Sequence, residues 1–163
     1  MRHLLRLIAL IAGILGSVSP SPAKILKLEI VREDSPAFEG RNFGVVGTYD
    51  RIIARATIAV APEDPHNSII TDIDRAPHNP QGVVRAVADV EILRPTVAAN
   101  GNRRLLYDVV NRGNKSGMAL FNDNPSVVND PVKASDAGNG FLMSRGYTLV
   151  WSGWQGDVAP GAG

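Results

Sequence analysis

Serine, histidine and carboxylate side chains are the groups that could run nucleophilic catalysis, and in this sequence they do not assemble into one motif. The chain has three histidines, of which His66 and His78 lie in one proline-rich stretch. No Gly-x-Ser-x-Gly elbow occurs; in Gly113-Asn114-Lys115-Ser116-Gly117 the serine stands one place late. With no cysteine there is no thiolate nucleophile, disulfide framework, thiolate metal site or lipid-modified N-terminal cysteine. His66, Asp72, Asp74 and His78 carry donor atoms for a metal, but their spacing matches no known ligand set. They read as a solvated loop, and no metal or other cofactor is expected. Gly138-x-Gly140 lacks a third glycine and follows no strand, which excludes a dinucleotide loop. Asn114-Lys115-Ser116 matches a glycosylation sequon, a pattern common by chance. Asp108 sits in an apolar run, so its carboxylate needs a partner, and Arg112 or a backbone turn is the expected one.

The elements that must position these residues fall into two parts. From Ala23 to Leu93 the pattern has period two. Leu26, Leu28 and Ile30 alternate with Lys27, Glu29 and Val31; Ile52, Ala54, Ala56, Ile58 and Val60 alternate with Arg51, Ile53, Arg55, Thr57 and Ala59. In a third run Val84, Ala86, Ala88, Val90 and Ile92 share one side, while Arg85, Asp89 and Glu91 take the other. Such alternation predicts strands with one buried and one wetter face, paired antiparallel across a long surface loop from Ala61 to Gly82. Past Pro95 the character changes. Leu105 to Val110 is nearly continuous in apolar residues, as in a strand buried on both faces of a parallel sheet. A turn at Asn111-Arg112-Gly113-Asn114 follows. A helix is predicted over roughly Ser135 to Arg145, capped by Ser135 or Asp136 and stopped by Gly146. Tyr147 to Trp151 then reads as another strand, which makes a βαβ unit with a right-handed crossover. Trp151 and Trp154 stand at and past the end of that strand, where open α/β sheets bind ligands.

Composition narrows the partners. Seventeen basic residues against sixteen acidic ones, with no basic block, exclude a nucleic-acid partner held by phosphate contacts. At the N-terminus, Arg2 and Arg6 precede an apolar run from Leu7 to Leu15, and Ser21-Pro22-Ala23 offers small residues for cleavage. That is the layout of a secretory signal peptide over residues 1–23. The run falls short of the ~20 apolar residues a membrane span needs. The expected location is therefore periplasmic or extracellular, with no stable membrane span after cleavage.

Two stretches carry a family resemblance. LLYDVVNRGNK, and then AGNGFLMSRGYTLVWSGWQGD, resemble the opening of an α/β-hydrolase core. Met143-Ser144-Arg145-Gly146-Tyr147 resembles that fold's join from helix to fourth strand, and Gly153 to Asp157 its following loop. The fuller likeness is to exported bacterial alpha/beta hydrolase domain proteins, whose N-terminal part reads much like Tyr49 to Leu93, including AVADVEILRP. It covers roughly Tyr49 to Asp157.

The resemblance implies a serine hydrolase of the esterase kind, acting on a small ester-like substrate. It also implies that the backbone N–H groups of Arg112, Gly113 and Asn114 face a developing oxyanion, and that Trp151 and Trp154 line the substrate pocket. In that family's order the nucleophile, acid and histidine follow the fifth strand or later, and no complete triad can be written from this sequence. The expectation is therefore an N-terminal portion, partnered by the rest of the same protein's core, which as one domain runs to ~200 residues or more. Its fold class is expected to be α/β: an incomplete hydrolase-type sheet over 104–163, preceded by antiparallel strands in a β-rich region over 24–103. The alternative is a non-catalytic, secreted β-rich module that holds a ligand or partner.

Overall fold

The computed structural model describes residues 23–156 and 158; the proposed signal segment, save Ala23, and Asp157 lie outside the described residues. Three twelve-residue strands dominate: β1 (Ala23–Asp34), β2 (Tyr49–Val60) and β3 (Val84–Pro95). They pair antiparallel in sequence order, as the alternation predicts. Beyond them come β4 (Leu105–Tyr107), the short helices α1 (Gly117–Phe121) and α2 (Phe141–Ser144), and β5 (Thr148–Ser152). The sheet order is β1-β2-β3-β5-β4; β5 lies antiparallel to β3, and β4 runs parallel to β5.

The α/β expectation is therefore wrong. One mixed, mainly antiparallel sheet with two short helices is a β-rich fold. Two local causes account for the difference. The predicted helix over 135–145 is interrupted by Gly138 at φ +56° and Gly140 at φ +75°, left-handed positions that no α-helix continues through. What remains is a 3-10 turn at Ala134–Ala137 and the four residues of α2. Asp136 accepts from the N–H groups of Val132 and Lys133. Gly146, at φ +72°, does stop α2 where expected. The predicted doubly buried strand shrinks to three residues, because the Asp108 N–H makes the last rung, to Val150. Leu105 and Tyr107 on it are exposed.

Register fixes which side chains share a face, since directly opposed residues point the same way. Tyr49 and Arg51 on β2 share a face with Leu93 and Glu91 on β3, Leu149 and Trp151 on β5, and Leu106 on β4. Over this face the core assembles. Leu142 and Met143 of α2, Met118 of α1, and the Phe38–Val46 segment pack there. Phe38, Phe43 and Tyr49 meet edge to face, with ring centroids 5.8 and 5.5 Å apart. The Tyr49 hydroxyl lies 3.1 Å from the Met143 carbonyl and 2.9 Å from that of Tyr147, tying β2 to the α2–β5 turn.

The opposite face carries Ile25, Leu28 and Ile30 on β1 beside Ile58, Ala56 and Ala54 on β2. On β3 it continues with Ala86, Ala88, Val90 and Ile92. The expectation that the apolar side would be the covered one holds on β2, where Ile52, Ala54 and Ala56 are buried, and fails on β1. Ile25, Leu28 and Ile30 are 52–69% exposed, and none of these residues joins the core cluster. The aromatic and leucine side chains of Tyr49, Leu93, Leu149 and Trp151 decide the matter, because they bury more area than the aliphatic stripe and lie on the face of opposite parity. Further along, that face carries the exposed pairs Lys27–Glu29 and Arg55–Asp89. Two bulges, between Ile25 and Lys27 and between Ile30 and Arg32, set Leu26 and Val31 out of register on β1.

Candidate functional site

The expected site lies where β4 and β5 end together. Past Tyr107 the chain leaves the sheet through Asp108 and turns at Asn111–Asn114. Asn111 and Asn114 close that turn reciprocally, with N–H to carbonyl distances of 3.2 and 3.0 Å. Arg112 takes φ +50° and Gly113 φ +86°, so two successive residues sit in the left-handed region. The loop after β5 braces the turn from one side. Gln155 Oε1 accepts the Arg112 N–H at 2.5 Å, and the Trp154 indole N–H donates to the Val110 carbonyl at 2.7 Å. Asn129 braces the other side, donating to Asn114 Oδ1 at 3.0 Å and accepting the Lys115 N–H at 3.0 Å.

This geometry sorts the three expected oxyanion donors. The Arg112 N–H is held by Gln155 and the Asn114 N–H by Asn111. The Gly113 N–H has no acceptor among the described residues, so it can meet an incoming anionic oxygen. Of the two tryptophans, Trp154 is 60% exposed beside the turn. Trp151 is buried in the core, and its indole N–H donates to Asp108 Oδ2 at 2.6 Å. The same oxygen accepts the Gly117 N–H at 2.7 Å. Asp108 thus finds a backbone partner, as the sequence suggests, together with an indole that it does not.

Behind the turn lies a charged cluster that the sequence reading places on a wetter face. Arg51, 2% exposed, makes a two-pronged contact with Glu91 at 3.0 and 2.9 Å and also reaches Asp130. Lys115 donates to the second Glu91 oxygen at 2.6 Å, with its ammonium 5.5 Å from the centre of the Trp151 ring. Burial works against the Arg51 charge, but Glu91 and Asp130 outweigh it and raise its affinity for the proton. The hydrogen bond from Arg51 holds the Asp130 carboxyl below its ordinary value. Arg51 Nη1 is buried without a hydrogen bond among the described residues and lies 3.5 Å from Asp34 Oδ2. Charged letters in an alternating strand usually mark solvent; only the pairing of Arg51 with Glu91, on the neighbouring strand and two residues from its directly opposed partner Leu93, makes them interior.

The remaining candidates stay in the 61–82 loop. Asp64 accepts both the backbone N–H of His66 and a contact from its Nδ1, at 2.9 and 2.8 Å, which makes a capped 3-10 turn rather than a catalytic pair. Among the described residues no group of three or more His, Asp or Glu could hold a metal ion, and no helix is long and apolar enough to cross a membrane. A cavity of about 240 Å3 borders Asp34, Phe38, Glu39 and Pro131, and no residue of the turn lines it. No family model matches the chain, and neither a curated protein nor a solved structure does.

Proposed function

We propose that this chain is the N-terminal portion of an exported, esterase-like serine hydrolase of the alpha/beta hydrolase superfamily. In that reading it furnishes the oxyanion turn and one wall of the substrate pocket. The observation that carries it is the Asn111–Asn114 turn, anchored on both flanks and presenting the uncommitted Gly113 N–H beside the exposed Trp154. A preorganised backbone donor of this kind contributes several kcal/mol to acyl transfer, because it needs no reorganisation as charge develops. Trp154 offers an apolar wall for the acyl or alcohol group. The nucleophile, its histidine and its acid come, in this proposal, from sequence this chain does not contain. Supporting it further is the likeness of 105–115 and 137–157 to the family's opening segments.

The test is hydrolysis of short p-nitrophenyl esters by the protein extended through any coding sequence downstream of codon 163. Turnover is the expected result, abolished by Gly113→Pro, which removes the N–H and also cannot adopt the turn's φ of +86°. An extended protein with no Gly-x-Ser-x-Gly and no turnover sinks the proposal. The second reading, a non-catalytic binding module, draws on a separate observation: Asp108, three residues before the turn in sequence, is occupied by Trp151 and Gly117.

A further inference from the structure

The loop after β5 already supplies an oxygen to one donor of the Asn111–Asn114 turn. That turn has the form of type I′, with Arg112 at φ +50° and Gly113 at φ +86°. The Asn114 N–H returns to the Asn111 carbonyl at 3.0 Å and closes it. Successive left-handed residues turn their N–H groups to one side, so Arg112 and Gly113 offer a pair of neighbouring donors. On the first of them Gln155 sets its side-chain oxygen, at 2.5 Å. That oxygen belongs to a carboxamide, whose planar C=O is the group an ester or amide substrate presents. The Gly113 N–H beside it has no acceptor among the described residues.

Gln155 is also the least anchored member of the arrangement. The Gly153 N–H bonds the Asp89 carbonyl at 2.9 Å, and past it no backbone hydrogen bond holds residues 154–156 among the described residues. Gly156, next in the chain, has no atom within 4 Å of where a Cβ would stand. Rotating the Gln155 side chain away breaks one hydrogen bond. The turn itself stays, since Asn129 and the reciprocal Asn111–Asn114 pair still hold it.

We infer that Gln155 is a built-in stand-in for a substrate oxygen: at rest it occupies the Arg112 N–H, and an anionic ligand oxygen displaces it to bridge Arg112 and Gly113. This rests on the reading of the turn as an oxyanion site and adds its regulation. Charge decides the exchange. An anionic oxygen makes the stronger, charge-assisted bond to a backbone N–H and gains Gly113 as a second donor. The neutral oxygen of Gln155 has Arg112 alone. The turn therefore yields to oxygens that carry charge and stays closed to ordinary carbonyls.

The test is an NMR titration of the full, isotope-labelled chain with sodium acetate, at an ionic strength held with sodium chloride. Acetate should move the backbone amide resonances of Arg112 and Gly113 together. Gln155→Ala removes the competitor and should tighten acetate by roughly five- to tenfold, the equivalent of one hydrogen bond. Gln155→Glu keeps an acceptor for the Arg112 N–H but adds a negative charge, so it should abolish the response. Amide exchange at Asn114, whose N–H closes the turn, should be the same in all three proteins. A Gln155 that merely braces the turn gives the opposite result, faster Asn114 exchange in Gln155→Ala and no tighter acetate, which overturns the inference. So do shifts at Gly113 that leave Arg112 unmoved, or undiminished binding in Gln155→Glu. Tighter acetate in Gln155→Ala with no ester turnover by the extended protein upholds the displaceable oxygen and removes the hydrolase. Turnover without that tightening does the reverse.

Discussion

Trp151 and Asp108 are joined by an indole N–H to carboxylate hydrogen bond of 2.6 Å, which locks the end of β5 to the point where the chain leaves β4. Because Asp108 Oδ2 also holds the Gly117 N–H, one oxygen fixes both the core tryptophan and the start of α1. Replacing it by alanine strands two donors, one of them on a buried ring. Asp108→Ala should cost about 2–4 kcal/mol, and Asp108→Asn, which keeps an acceptor, clearly less. Urea midpoints of the two variants measure the difference.

Tyr49 gives a pH dependence. Burial raises its phenol well above the ordinary value. The unfolded chain releases this proton near pH ~10 while the folded chain keeps it. Its contribution is thus fully present below pH ~10 and is lost as pH rises beyond that. Tyr49→Phe should flatten this alkaline limb in thermal melts. At neutral pH it should cost about 1–2 kcal/mol through the lost contacts to Met143 and Tyr147.

Glu91 stands between the buried Arg51 and the partly buried Lys115. Removing it leaves Arg51 and Lys115 without their shared counter-charge, and Glu91→Ala should destabilise by about 3–5 kcal/mol. The triple change Arg51→Met, Glu91→Leu, Lys115→Met removes the charges together and should recover most of that loss. If the triple variant melts no higher than Glu91→Ala, the cluster's cost is not one of stranded charge.

Gly138 answers why the helical stretch breaks. A Cβ there would lie 2.3 Å from the Asn122 carbonyl oxygen, at a φ of +56°. Gly138→Ala should destabilise by about 2 kcal/mol or more. Gly156, whose Cβ would meet nothing within 4 Å, should accept alanine with little change in the same denaturation assay.

The three long strands are legible from their alternation, because period two follows from backbone geometry alone. Which side of them is covered is not. Alternation shows that two faces differ, and the choice between them is made by Tyr49, Leu93, Leu149 and Trp151, which come together only through register. The Asn111–Asn114 turn is equally visible in its residue types. That Gln155 takes the Arg112 N–H, leaving Gly113 as the donor still open, depends on a loop more than forty residues away. Charge letters mislead at Arg51 and Glu91, since two strands read separately do not reveal that their charges neutralise each other inside.

The bulges at Leu26 and Val31 bear on how such a chain avoids polymerising. β1 is an outer strand of twelve residues rich in isoleucine and leucine, the profile of a template for fibril growth. Two extra residues interrupt its free hydrogen-bonding margin, so an incoming strand finds no continuous ladder to extend. The same two bulges that reverse the outlook of Leu26 and Val31 thus deny a passing extended segment the regular edge it needs to add a further strand.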